Sequence, residues 1–308
     1  IIKTFFRILL QTEFSRKILL NHQVKAVLVS HHIGLNTGPL TRVALSLKIP
    51  VYWKGGGHEV IALSKFDSLK DIYKFPKTPS KNTLKLLTSK YRLKILSDLK
   101  KMEIDLEKPQ YGVFAAIQDI SKKRTLSKTS FLMKYGLDDK PIFFLMLHAF
   151  NDHPHSHFKK MLFKDYYDWF MKTLDFAKKD KSKNWVIKEH PANKIYKTTD
   201  LDLSELMKGL PKHIVFLESD TKIQGRAVLE LADQIITCLG SAGIEFAAFK
   251  GKTPLRASDS AYSGVGIALE PSNIPEYFKK LALKKAPLLS PEKQLVAKAV
   301  YLYFSKYC

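Results

Sequence analysis

The stretch Pro141–Leu147, PIFFLML, organises the reading of this chain. It is one unbroken apolar run, too short for a buried helix and without the polar alternation of a half-solvated strand. A strand of this kind is buried on both faces, as the strands of a parallel sheet are. The residues downstream repeat the pattern. Tyr166–Ala177 predicts a helix with Tyr166, Phe170 and Leu174 on one face, and Asn184–Lys188 (NWVIK) predicts a second strand. His213–Leu217 is a third strand, followed by a helix around Arg226–Leu231. Gln234–Thr237 is a fourth, Ala242–Phe249 a helix, and Thr253–Arg256 a fifth strand. Pro275–Leu281 and Pro291–Lys306 read as closing helices. Strand alternating with helix predicts a doubly wound α/β domain with a parallel sheet over residues 141–308.

Upstream, residues 24–30 (VKAVLVS) predict a strand that runs into His31-His32-Ile33-Gly34. A helix over Leu40–Leu47 and a strand over Ile49–Trp53 complete a βαβ-like unit. That strand ends in Lys54-Gly55-Gly56-Gly57-His58-Glu59, where glycines permit close backbone approach. Residues 64–110 are Lys-rich and lack glycine, and they read as a basic helical insertion. Within them Asn82–Met102 predicts one amphipathic helix, carrying Leu84, Leu87, Tyr91, Ile95 and Leu99 at helical spacing. Residues 111–117 (YGVFAAI) are a further strand candidate. The expected architecture is α/β: two Rossmann-like domains with parallel sheets, residues 1–140 and 141–308, facing a cleft. The chain opens on Ile rather than Met, so residues upstream of the first domain are expected.

The 308 residues carry 51 Lys+Arg against 29 Asp+Glu, a net charge of +22. The imbalance is concentrated in residues 1–140, at +15, against +7 for the rest. Such a balance points to an anionic partner. Of the cations 44 are Lys and 7 Arg, whereas base readout leans on Arg, so no nucleic acid is expected. Two cysteines exclude a disulfide scaffold and a Cys-based zinc site. No apolar run approaches the roughly 20 residues needed to span a bilayer. A cytoplasmic protein is expected, with the inner face of the membrane as a peripheral location.

In open α/β sheets ligands sit beyond the C-terminal ends of the strands, so the residues following each strand are the candidates. After the first strand of the second domain come His148, Asp152, His153, His155 and His157. The His spacing matches no metal motif and also suits a plain polar loop; no metal is expected. After the second strand come His190 and Pro191, a phosphate donor or a turn cap. After the fourth come Gly240, Ser241, Ala242, Gly243 and Glu245. Small residues opening a helix make an anion site, and Ser241 as an ordinary N-cap is the alternative. Glu245 can reach a sugar hydroxyl or answer the helix dipole. After the fifth come Tyr262, Ser263 and Gly264, in a polar loop of a kind that often closes on ligands. In the first domain His31, His32, His58, Glu59 and Asp119 are candidates by placement. There is no GxGxxG fingerprint and no P-loop, so no nicotinamide, flavin or P-loop nucleotidase chemistry is indicated.

The ordered set His190-Pro191, Gly240-Ser241-Ala242-Gly243-Ile244-Glu245, Gly251-Lys252-Thr253-Pro254 and Tyr262-Ser263-Gly264 resembles the C-terminal half of bacterial capsule polysaccharide biosynthesis proteins. That family includes the Kdo transferases of capsule export systems. The resemblance covers roughly residues 140–282. It implies GT-B glycosyltransferases, with two Rossmann-like domains around the active site and the nucleotide in the C-terminal one. By the same resemblance His190 contacts the donor phosphate, Gly240 and Ser241 form the cradle, and Glu245 touches ribose or sugar. His148 and Asp152 become the polar positions at the domain junction.

With no paired-carboxylate metal motif at a strand end, the leaving nucleotide is expected to be stabilised by His190, Ser241 and backbone N–H groups, without metal or other cofactor. Asp152 is the carboxylate candidate for activating an acceptor, and Glu59, His31, Tyr262, Ser263 and Gly264 are candidate sugar or loop contacts. The expected partners are a nucleotide sugar (CMP-Kdo or another), a glycan or glycolipid acceptor, and an anionic membrane surface. Two alternatives stand beside this reading. One is a nucleotide-sugar epimerase or polyol-phosphate transferase of GT-B-like fold; the other is a non-catalytic protein that binds anionic membrane or nucleic acid.

Overall fold

A computed structural model describes residues 2–55, 62–73, 78–105, 126–150, 152, 161–194, 201–221, 223 and 225–306. Their contacts gather them into two units, one built mainly on Ile1–Lys77 and the other on Thr78–Pro154 with Lys160–Tyr303. The sequence reading places the boundary near residue 140, whereas contacts divide the chain near Lys77–Thr78. The basic segment from Thr78 onward is thereby grouped with the second unit.

The first unit contains α1 (Ile2–Asn21), β1 (Val27–Val29), α2 (Gly34–Ser46), β2 (Val51–Gly55) and β3 (Ala62–Phe66). β1 and β2 pair in parallel, Val27 opposite Val51, which is the expected βαβ unit. β3 adds an antiparallel neighbour to β2, Phe66 opposite Val51. Its last three residues fall where a helical insertion over 64–110 was expected, because pairing with β2 buries Phe66 while Leu63 and Lys65 stay exposed. Helix α2 starts at Gly34, ahead of the Leu40 start expected. Pro39 costs the helix one backbone hydrogen bond but is buried within it. The core joins Leu19 of α1 to Val27, Val29, Val43, Leu45, Val51 and Phe66. Much of α1 is exposed, including Phe5, Phe6, Leu10 and Phe14. No helix among the described residues is long and apolar enough to cross a membrane.

The second unit begins with α3 (Lys81–Ser89) and α4 (Arg92–Asp105), two helices where the periodicity of Asn82–Met102 predicts one. The Leu86 carbonyl accepts both the Lys90 and the Tyr91 N–H, and the chain bends there without a Gly or Pro to announce it. Residues 111–117, expected as a strand, lie outside the described residues.

After α5 (Lys128–Tyr135) the chain builds β4 (Ile142–Met146), α6 (Tyr166–Lys179), β5 (Asn184–Lys188), α7 (Leu203–Leu206) and β6 (Ile214–Leu217). It continues through α8 (Gly225–Leu231), β7 (Gln234–Thr237), α9 (Ser241–Lys250), β8 (Leu255–Arg256), α10 (Ile274–Leu281) and α11 (Pro291–Lys306). All four pairings are parallel, and the strand order is β6-β5-β4-β7-β8. This is the doubly wound, Rossmann-like order, with the first strand of the sheet at its centre.

Successive side chains of β4 point to opposite faces, and both faces are core. Phe143 and Leu145 pack with Trp169, Phe170, Leu174, Trp185 and Tyr277 under α6 and α10. Ile142 and Phe144 pack with Phe131, Val186, Val228 and Phe246 under α5, α8 and α9. Truncating a ring buried in such a layer removes its transfer free energy and leaves a cavity. Phe144→Ala is expected to cost about 3–5 kcal/mol in urea denaturation. A loss within the surface range of about 0.5 kcal/mol would show that β4 is not central to this unit.

Candidate functional site

Strand order sets where side chains converge. From β4 the chain crosses to β5 on one side, and from β7 it crosses to β8 on the other. The segments after β4 and β7 therefore diverge over adjacent strands, the switch point at which such sheets bind ligands.

His148 stands there, just past the end of β4, and is buried. Its Nε2 accepts the Leu239 N–H at 3.3 Å and lies 3.5 Å from Thr237 Oγ1. Thr237 Oγ1 in turn accepts the Gly240 N–H at 3.2 Å. The ring lies nearly parallel to Tyr166, 4.8 Å between centroids, and to His190, 6.1 Å away. Burial pushes the His148 pKa down to about 3, with the charge of His190 acting the same way, so the ring is neutral at ordinary pH.

His190 follows β5. Burial lowers its pKa, and nearby Lys188 lowers it further; Asp152 and Glu189 oppose them. Asp152 is exposed beyond β4, and its charge also acts on the Tyr166 phenol, whose pKa burial drives far up. The turn that carries His190 is tied on several sides. Glu189 Oε2 accepts the Ser219 N–H at 2.7 Å and Oε1 accepts Asn193 Nδ2 at 3.0 Å. The Asn193 N–H reaches the His190 carbonyl at 3.1 Å, closing the short helical turn Pro191–Lys194. Lys188 Nζ donates to the Glu189 carbonyl at 2.7 Å.

Helix α9 starts at Ser241, and its cap residue is Gly240 in extended conformation with no side-chain cap bond. The ordinary alternative, Ser241 as N-cap, is thus not what the helix uses. Ser241 is exposed in the first turn, beside half-buried Ala242. Its hydroxyl bonds the side chain of Glu245, which opposes the rise that burial imposes on that carboxyl. Tyr262 is buried, and its Oη donates to the Gly240 carbonyl at 3.3 Å. Gly243 faces that phenol: a Cβ there would lie 2.2 Å from Tyr262 Oη, 3.1 Å from its Cζ and 3.3 Å from Thr237 Cγ2.

The loop holding Ser263 and Gly264 is organised from beneath by buried Arg256. Arg256 donates to the Ser258 carbonyl and, at 3.0 Å, to Ser263 Oγ, and it pairs with Glu270 at 3.0 Å. Glu270 also accepts the Gly264 N–H. The structure thus brings His148, His190, Asp152 and the Gly240–Gly243 turn together, with Tyr262 behind the turn and Ser263 and Gly264 on the Arg256 network.

In the first unit His31 is exposed beside Ser30. His32 is buried edge-on to Trp53 and Phe66, 5.1 and 5.2 Å between centroids, the environment of a core side chain. His58, Glu59, Asp119, His153, His155 and His157 lie outside the described residues. Among the described residues no group of three or more His, Cys, Asp or Glu is placed to hold a metal. Sequence reasoning did not single out Tyr166, Thr237, Glu189 or Arg256. Thr237 and Glu189 flank strand ends that it did mark, and Arg256 was visible as one of few Arg in a Lys-rich chain.

No protein-family model matches this sequence, and no curated protein matches it. Among solved structures the chain is similar to Thermosulfurimonas dismutans KpsC, beta Kdo 2,4 transferase, at 12% identity and a TM-score of 0.46, over 89% of this chain and 78% of that one. It is also similar to Thermosulfurimonas dismutans KpsC, beta Kdo 2,7 transferase, at 18% identity and a TM-score of 0.38, over 81% and 68%. Both likenesses are remote.

Two measurements probe this geometry. Gly243→Ala is expected to destabilise the protein by about 1–3 kcal/mol through overpacking. Adding Tyr262→Phe, which deletes the clashing Oη, should restore part of that loss; a double variant no more stable than Gly243→Ala would refute the contact. Asp152→Asn removes a negative charge that favours the His190 imidazolium, so the His190 pKa should fall further. Side-chain NMR titration reads this directly, and an unchanged or raised value would remove Asp152 from the site.

Proposed function

We propose that the chain is a glycosyltransferase that moves a sugar from a nucleotide-activated donor to a surface or capsular polysaccharide, or to a lipid-linked acceptor. The observation that carries this reading is the switch point itself. There, two neighbouring strand ends bring His148 within hydrogen-bonding distance of Leu239, just ahead of the uncapped start of α9, with His190 stacked alongside. An uncapped helix start suits a phosphate, since its N–H groups and dipole favour negative charge.

In this reading the second unit holds the donor. The departing nucleotide develops negative charge, which His190, Ser241 Oγ and the N–H groups of α9 stabilise. Partial burial keeps His190 in a setting where its donor strength counts, while Asp152 and Glu189 help it carry a proton. Asp152, exposed and close enough to bias both His190 and Tyr166, is the carboxylate for activating an acceptor hydroxyl or for forming a transient glycosyl bond. Glu245 is held by Ser241 at the edge of the turn, where a ribose or sugar hydroxyl would lie. No step is assigned to a metal. The excess positive charge of residues 1–140 suits an acidic or phospholipid-linked acceptor at a membrane surface.

The test pairs binding with turnover. In a thermal-shift panel of CMP, UDP, GDP and CDP, one nucleotide should raise Tm, because a ligand stabilises by RT ln(1 + [L]/Kd). Its sugar conjugate should then be turned over, and His190→Ala should lower transfer by roughly 10²–10³ while the protein stays folded. A panel with no response, or His190→Ala with unchanged turnover, would overturn the proposal. Interconversion of free nucleotide sugars without an acceptor would favour an epimerase instead.

A further inference from the structure

We infer that His148 is a positioning residue, a permanently neutral bracket between the end of β4 and the β7–α9 turn, and not a carrier of protons. The inference rests on the proposed site, and it deepens it by assigning different work to its two histidines.

Three contacts carry it. His148 Nε2 receives the Leu239 backbone N–H at 3.3 Å. A backbone amide is a donor only, so Nε2 must be the unprotonated nitrogen of the ring. Thr237 supplies the second contact. Its Oγ1 accepts the Gly240 N–H at 3.2 Å, which leaves its own hydroxyl proton to point at Nε2, 3.5 Å away. Both neighbours thus treat Nε2 as an acceptor, and the ring proton sits on Nδ1. The third contact is the stack: Tyr166 lies at 4.8 Å and 11° on the ring, and His190 at 6.1 Å and 14°. Charging His148 would put a proton between Nε2 and two donors and a cation beside His190, inside a buried pocket.

The titratable groups around His148 and the two rings stacked with it come from four directions. His190 and Lys188 stand at the end of β5, Tyr166 on α6, Asp152 beyond β4 and Cys238 after β7. Of these only His190 acts on His148 by charge, and it disfavours protonation. His148 therefore holds two things in place while neutral. It anchors Leu239 and, with Thr237, the Gly240 that opens α9, and it supports the ring plane of His190. The same wall explains the glycine at 240: a Cβ there would sit 2.9 Å from Thr237 Oγ1 and 3.6 Å from His148 Nε2.

The experiment has one arm that needs no activity. Long-range ¹H–¹⁵N NMR of the histidine rings in the full chain, taken between about pH 5 and 8 where free imidazoles titrate, should show His148 neutral throughout with Nε2 bare. A His148 signal that titrates in that window, or one protonated at Nε2, overturns the inference. The second arm compares His148→Gln, whose Oε1 can take over the acceptor role, with His148→Phe, which keeps a flat ring but accepts nothing. His148→Gln should keep transfer within about tenfold of the parent, while His148→Phe should lose roughly 10², the cost of a displaced turn. The acid limb of the rate profile should stay with His190 in both. Equal collapse of the two variants would make His148 a proton carrier and overturn the inference. If no nucleotide sugar is turned over by the parent protein, the function proposal fails, and the NMR arm still decides His148.

Discussion

Burial of β4 on both faces is the constraint from which the rest of the second unit follows. Phe143 and Leu145 fill one layer and Ile142 and Phe144 the other, so helices must cover both sides. A strand with two apolar faces leaves its chain no polar outlet along its length. The first polar side chain the chain can place lies beyond the strand end, and that is His148. Its position is thus a consequence of packing as much as of chemistry.

The same packing sets the electrostatics. The end of β4 abuts the ends of β5 and β7, so His148 and His190 meet in a region that water reaches poorly. Burial lowers both pKa values, but their surroundings differ. His148 has amide and hydroxyl donors around Nε2 and, among the described residues, no carboxylate acting on its charge. His190 has Asp152 and Glu189 opposing the burial. Two residues of one type, a ring's width apart, are thereby separated into a neutral bracket and a group that can still carry charge.

Behind the α9 turn a second network does comparable mechanical work. Arg256 gathers the Ser258 carbonyl, Ser263 and Glu270, and the loop it shapes places Tyr262 against Gly240 and Gly243. The turn is held by His148 and Thr237 from one side and by Tyr262 from the other. A helix start fixed in this way presents its N–H groups without reorganisation, the property that makes fixed dipoles effective toward developing charge.

The five strands of the second unit, and the helices α6, α8, α9, α10 and α11, were legible in the residues, because each is announced by a local apolar run or a helical stripe. So were the strand-end positions His148, His190 and Gly240–Gly243, since polar and small residues stand out where such runs stop. The antiparallel β3, the bend between α3 and α4 and the core role of His32 were not legible. The strand and the histidine depend on partners remote in sequence, Val51 for Phe66 and Trp53 with Phe66 for His32, and the bend interrupts a helical stripe without a Gly or Pro to mark it. What the sequence by itself determined is which segments are strands and helices, and which polar residues end them, because periodicity is a property of neighbours along the chain. What only the tertiary structure decided is the order β6-β5-β4-β7-β8. That order sets His148 against Leu239 and lays His190 beside it, because strand pairing is chosen by the complementarity of whole buried faces and not by any short run of residues.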